Sequence, residues 1–161
     1  MLRRVTVLDL LAIAAILAAP RLALAGTDTD QLTVTATVQS GCALSGGTLD
    51  FGTYTSGQQT DLDAIGAINY TNCSGMLTFA LDGGGSANIN ARQMRSGANR
   101  LNYQIYRNQI RNSIWGTGTD SQGQQLIGTQ SGSIPVYGRI FKGQTVPDGV
   151  YTDIVNITLT F

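Results

Sequence analysis

The last thirteen residues of the chain, GVYTDIVNITLTF (149–161), change polarity at almost every step. Tyr151, Val155, Ile157, Leu159 and Phe161 fall on one face. Thr152, Asn156, Thr158 and Thr160 fall on the other, joined by one apolar residue, Ile154. A period of two marks a half-buried β-strand, and the β-branched and aromatic content agrees. A strand this apolar belongs inside a sheet, with a neighbour on each side. The sequence stops at Phe161, so one neighbour is expected from earlier in the chain or from another molecule.

The rest of the chain carries the same signature in shorter pieces. Leu32, Val34, Ala36 and Val38 alternate with Thr33, Thr35 and Thr37, which predicts a strand over 31–38. Further strands are expected around Leu49–Tyr54, Ala64–Cys73, Met76–Leu81, Leu101–Tyr106 and Ile134–Phe141. Turn chemistry separates them: Asn72-Cys73-Ser74-Gly75, Asp82-Gly83-Gly84-Gly85, Ser131-Gly132-Ser133 and Pro147-Asp148-Gly149. Gly116 to Gln125 reads as a long loop. Pro135 suits an edge or a first strand position. No stretch beyond residue 25 holds a helical apolar period over ten residues. Seven or eight short strands with Gly-rich breaks predict an all-β sandwich.

Residues 1–25 are set apart. Arg3 and Arg4 precede the apolar run Leu10–Ala19, and Ala23-Leu24-Ala25 supplies small residues for cleavage. This is the pattern of a secretory signal peptide. The run is broken by Asp9, Pro20 and Arg21 and is shorter than the ~20 apolar residues a membrane span needs. Of ten basic residues, Arg3, Arg4 and Arg21 leave with the signal; of ten acidic residues, only Asp9 does. Seven and nine remain, a net charge near −2. So weak a charge gives no footprint for nucleic acid. An exported chain meets an oxidising compartment, so Cys42 and Cys73 are expected to form a disulfide.

The search for chemistry finds little. The sequence has no His and no Glu, which removes the commonest general base and the Ser-His triads. Beyond the N-terminal extension, Asp61 and Asp63 are the only close carboxylate pair, and a solvated loop is the expectation for them. Gly83-Gly84-Gly85 follows a strand but lacks the Lys-Ser/Thr ending of a phosphate loop, so it reads as a tight turn. Arg92, Arg95, Arg100, Arg107 and Arg111 are expected along strand edges, where charge discourages indiscriminate pairing. Trp115 reads as a core or loop anchor. No enzyme, metal site or cofactor is expected.

Several stretches together resemble the spore coat protein U domain, a family of secreted bacterial proteins that includes subunits of archaic chaperone–usher pili. They are SGCALSGGTLDFGTY (40–54), the Cys73 region, FALDGG (79–84), LNYQIYRN (101–108), IPVYGRI (134–140) and DGVYTDIVNITLTF (148–161). The resemblance implies an incomplete immunoglobulin-like β-sandwich that lacks its last strand. A periplasmic chaperone would first lend a strand, and the N-terminal extension of a neighbouring pilus subunit, of the same or a related kind, would replace it after passage through an outer-membrane usher. In that scheme 26–40 is the extension and 41–161 the domain. Leu32, Val34, Ala36 and Val38 are the donor side chains. Tyr151, Val155, Ile157, Leu159 and Phe161 line the edge strand of the acceptor groove. The expected route is Sec export, the periplasm and then the cell surface. The competing expectation is a self-contained secreted sandwich that binds a glycan or surface ligand through Trp115 and the arginines.

Overall fold

The structure is a computed structural model that describes residues 29–37 and 41–161. The expected signal peptide and Val38 lie outside the described residues. The chain divides into two units, Met1–Thr37 and Val38–Phe161. In the first, residues 29–37 take no regular secondary structure, and Leu32 and Val34 are exposed. Of the strand expected over 31–38, the described residues 31–37 form no ladder: alternation supplies the faces of a strand, whereas a strand is defined by a ladder partner.

The second unit is all β. Its strands are β1 (Ala43–Thr48), β2 (Leu62–Leu81), β3 (Arg92–Ser96), β4 (Asn99–Tyr106), β5 (Gln122–Ile140) and β6 (Ile157–Thr160). The sheet order is β1-β2-β5-β4-β3, with β6 also on β2, and all pairs are antiparallel. Gly97 and Ala98 join β3 to β4; Gly97 has φ +57°, as the first central residue of a tight hairpin turn requires.

Two long strands replace three expected short ones. Asn72-Cys73-Ser74-Gly75 does not end a strand. Asn72 (φ +53°) and Gly75 (φ +80°) sit where the β2–β5 register shifts, so the polar run is a bulged corner within one strand of 20 residues. β5 bends beside it, with Gly128 at φ +74°, and absorbs both the end of the expected loop and Ser131-Gly132-Ser133. Such bends carry strands from one layer of a sandwich to the other. The two halves of β2 then face one another: the Tyr70 and Phe79 rings meet at 5.9 Å. Tyr70 also pairs with Gly132, where a Cβ would lie 2.7 Å from the Tyr70 hydroxyl. The glycine is thus needed for the close approach of that ring, not for a chain break. Pro135 lies inside β5 opposite Ala67, but β4 reaches β5 only from Tyr137 onward, so the missing N–H costs no β4 bond.

The core lies between the layers. Ile68, Leu77, Phe79, Leu101, Ile105, Trp115 and Ile140 are buried in it. The Cys42–Cys73 disulfide forms as expected and ties the start of β1 to the β2 corner. Its sequence separation of 31 corresponds to about 3–4 kcal/mol in the chain-entropy model.

Candidate functional site

An apolar groove of about 850 Å³ opens into this core. One wall is the chain leaving β1, where Leu49, Phe51 and Tyr54 face inward. The strand expected over Leu49–Tyr54 is thus a wall without a ladder; the strand itself is β1, just before it. The other wall is the segment leading into β6, with Tyr151, Val155 and Ile157. Ile68, Leu81, Leu101, Tyr103, Val136 and Ile140 form the floor.

The walls stand on one edge of β2. β5 pairs with the other edge along nearly its whole length, whereas β1 takes Ala67–Thr71 and β6 takes Thr78–Leu81. Among the described residues, β1 and β6 each pair with β2 alone. The phase of the second wall can be read from its hydrogen bonds. The Asp82 N–H donates to the Asn156 carbonyl at 3.2 Å, and the Asn156 N–H donates to the Asp82 carboxylate at 2.9 Å. Leu81 gives its N–H to the Gly116 carbonyl rather than to its β6 partner Ile157. Backbone groups alternate in direction along an extended chain. Asn156 therefore faces β2, and the N–H and C=O groups of Val155 and Ile157 face the open edge while their side chains line the groove.

Side chains, not a ladder, hold most of this wall. Only Thr152 bridges to a strand, exchanging bonds with Arg95 at 2.8 and 3.0 Å. Asp153 accepts the Tyr103 hydroxyl at 2.7 Å and the Gly85 N–H at 2.8 Å. Burial first, then Asp153, pushes the Tyr103 phenol far above its ordinary range, so it remains a donor at any ordinary pH. Burial raises the Asp82 carboxyl, but bonds from the Asn156 side chain and the Gly84 and Asn156 N–H groups outweigh it and hold the group below 3.8. The Arg139 hydrogen bond lowers Asp63 likewise, against burial and with help from Arg111. A carboxylate depressed in the folded state stabilises fully above its unfolded value and loses that contribution as pH falls through the folded value. Urea midpoints are therefore expected to hold between pH 7 and about 5 and to fall below about pH 4. Asp82→Asn should have the lower midpoint at pH 7 and the shallower fall; equal slopes would contradict this origin.

The structure places the expected site residues unevenly. Tyr151, Val155 and Ile157 line the groove. Leu159 packs on the core beyond it, and Phe161 is 60% exposed. The expected thirteen-residue strand is corrected to Ile157–Thr160, because its first half is held by carboxylates. Asp61 and Asp63 are exposed as expected but are not a loop pair: Asp63 lies in β2, both meet Arg139, and Asp63 also meets Arg111. Nor do the arginines serve mainly as edge charges. Arg92 is wholly buried, Arg107 binds Ser113 and the Ser121 carbonyl, and Arg111 binds the Gly138 carbonyl. Trp115 is fully buried, with its indole N–H on the Phe79 carbonyl, as a core anchor. Gly84–Ser86 form a single 3-10 turn, in keeping with the tight-turn reading. The sequence reading passed over Asp153, although it occupies the core-facing phase between Tyr151 and Val155. A carboxylate in an apolar phase requires partners.

Comparison with known proteins agrees with this architecture. The sequence pattern of the Spore Coat Protein U domain matches residues 28–158, and the chain belongs to that family. It is 34% identical over 175 aligned residues to Protein U of Myxococcus xanthus, covering 93% of this chain and 97% of that protein. Among solved structures it resembles a chain of the CsuC–CsuE chaperone–tip adhesion subunit pre-assembly complex from the archaic chaperone–usher Csu pili of Acinetobacter baumannii. The TM-score is 0.52 at 22% identity, over 74% of this chain and 39% of that one. It also resembles the P pilus rod subunit PapA, with a TM-score of 0.51 at 17% identity, over 74% of this chain and 97% of that one. The all-β, immunoglobulin-like fold of pilus subunits is thus the fold of this chain.

Proposed function

We propose that this protein is a structural subunit of a secreted surface fibre, assembled by a periplasmic chaperone and an outer-membrane usher and joined to its neighbours by strand donation. The observation that carries this reading is the groove: an apolar channel into the core whose β6 wall turns the backbone groups of Val155 and Ile157 to an open edge. An added strand would satisfy those groups and fill the channel with alternate side chains. Residues 26–40 are the donor extension in this reading, and 41–161 the acceptor domain. Leu32, Val34, Ala36 and Val38 enter the groove of the next subunit, the larger ones contributing about 1.5–3 kcal/mol each on burial. Membership of a family with pilus-subunit folds supports the same role. A glycan-binding module is disfavoured because Trp115 is enclosed and Arg92, Arg107 and Arg111 are engaged internally.

Deleting residues 26–38 tests the donor. The shortened chain is expected to bind its chaperone yet to leave no long fibres in electron micrographs; fibres of normal length would remove the proposal. Val34→Lys should shorten fibres more than Thr35→Lys, because only the first enters the groove.

A further inference from the structure

The loop after β2 and the segment before β6 hold each other through reciprocal carboxylates. Asp82, on the loop side, takes the Asn156 N–H at 2.9 Å and the Asn156 side-chain amide at 2.6 Å, and also caps Gly84 N–H at 2.9 Å. Asp153, on the segment side, takes the Gly85 N–H at 2.8 Å and the Tyr103 hydroxyl at 2.7 Å. Gly84 is left-handed at φ +58°, and a Cβ there would overlap the Asp153 carboxylate. The loop is thus shaped to the clamp: no larger residue fits at Gly84 while Asp153 keeps its place.

We infer that Asp82, Asp153 and Asn156 are positioning residues for strand acceptance: the clamp sets the phase of the acceptor edge. This inference rests on the reading of the groove as a strand acceptor. An extended chain shifted by one residue exchanges both its faces and its edges. Between the Thr152 bridge and the start of β6, one backbone bond among the described residues opposes such a shift, from the Asp82 N–H to the Asn156 carbonyl. The clamp does so by committing both backbone groups of Asn156 to Asp82, which leaves those of Val155 and Ile157 for the incoming strand. A core residue that only stabilised the fold would have no such parity.

The test uses the full chain and a synthetic peptide of residues 26–41, with amide exchange followed by nuclear magnetic resonance. In the wild type the peptide is expected to slow exchange at Val155 and Ile157 at least tenfold and to leave Asn156 unchanged. Asp153→Ala and Asp82→Ala should weaken peptide binding about tenfold or more and erase the odd–even pattern. Asp153→Asn, which retains an acceptor for Tyr103 or Gly85, should recover part of both. Thr158→Ala, on the outer face of β6, is the control for general loss of stability and should bind as the wild type does. No protection in the wild type would overturn the acceptor reading and the clamp with it. Wild-type protection that persists with the same parity and affinity in both alanine variants would overturn the clamp alone. Where an alanine variant fails to fold, Gly84→Ala supplies the same test, since it displaces Asp153 without removing a carboxylate.

Discussion

Arg92→Met is expected to lower the unfolding free energy by about 3–5 kcal/mol, the scale of breaking a buried charged network. The Arg92 guanidinium is wholly enclosed. It donates to the carbonyls of Asp82 and Trp115 at 2.7 Å each and to the Gln104 side chain at 2.7 Å, with longer bonds to Leu81 and Ile89. One side chain thus satisfies the end of β2, the turn before β3 and the approach to Trp115. Methionine matches much of the apolar stem but leaves those carbonyls without a donor, at about 1–3 kcal/mol for each that water cannot reach. Burial lowers the Arg92 pKa, but arginine stays charged at any working pH. Arg92→Lys should therefore recover little, because a single ammonium cannot span donors that a planar fork reaches together. Urea unfolding of the three proteins decides this; a loss under 1 kcal/mol for methionine would contradict the assigned role.

Gly138→Val is expected to reduce capture of the 26–41 peptide at least tenfold. Gly138 lies in β5 beneath the first wall of the groove. A Cβ there would sit 2.6 Å from the Phe51 ring and 2.7 Å from a Leu49 methyl. Those two side chains line the channel, so any shift that makes room for the new side chain alters the groove's first wall. The cost to stability should be about 1–3 kcal/mol, the usual range for overpacking, so loss of capture would exceed what destabilisation alone explains. Gly123→Ala in the same strand meets only the Leu77 carbonyl, at 4.0 Å, and should change neither property. Fluorescence anisotropy with labelled peptide, set beside urea midpoints, separates the two effects. Undiminished capture by Gly138→Val would mean that the Leu49–Phe51 wall does not bound the acceptor.

The two substitutions differ in how far the sequence announces them. Nothing local marks Gly138 as a wall support: its neighbours read as an ordinary strand, and Phe51 lies far away in sequence. Arg92 sits in a weakly patterned stretch whose charges look like solvent-exposed edge charges. Its burial depends on carbonyls brought together from residues 81, 82, 89 and 115. Contacts of that separation leave no periodic trace.

The sequence by itself determined the all-β class, the alternation that sends Tyr151, Val155 and Ile157 inward, and the Cys42–Cys73 pairing. Each follows from a period of two or from a residue type that has few alternatives. Only the tertiary structure decided that Asn72–Gly75 bends one strand instead of separating two. Positive φ is common to turns and bulges, and the choice between them belongs to the partner strand. It also decided that the closing segment is a groove wall held by Asp82 and Asp153, with a ladder only at its end. Alternation states which face of a strand is buried; it is silent on which edge is already paired.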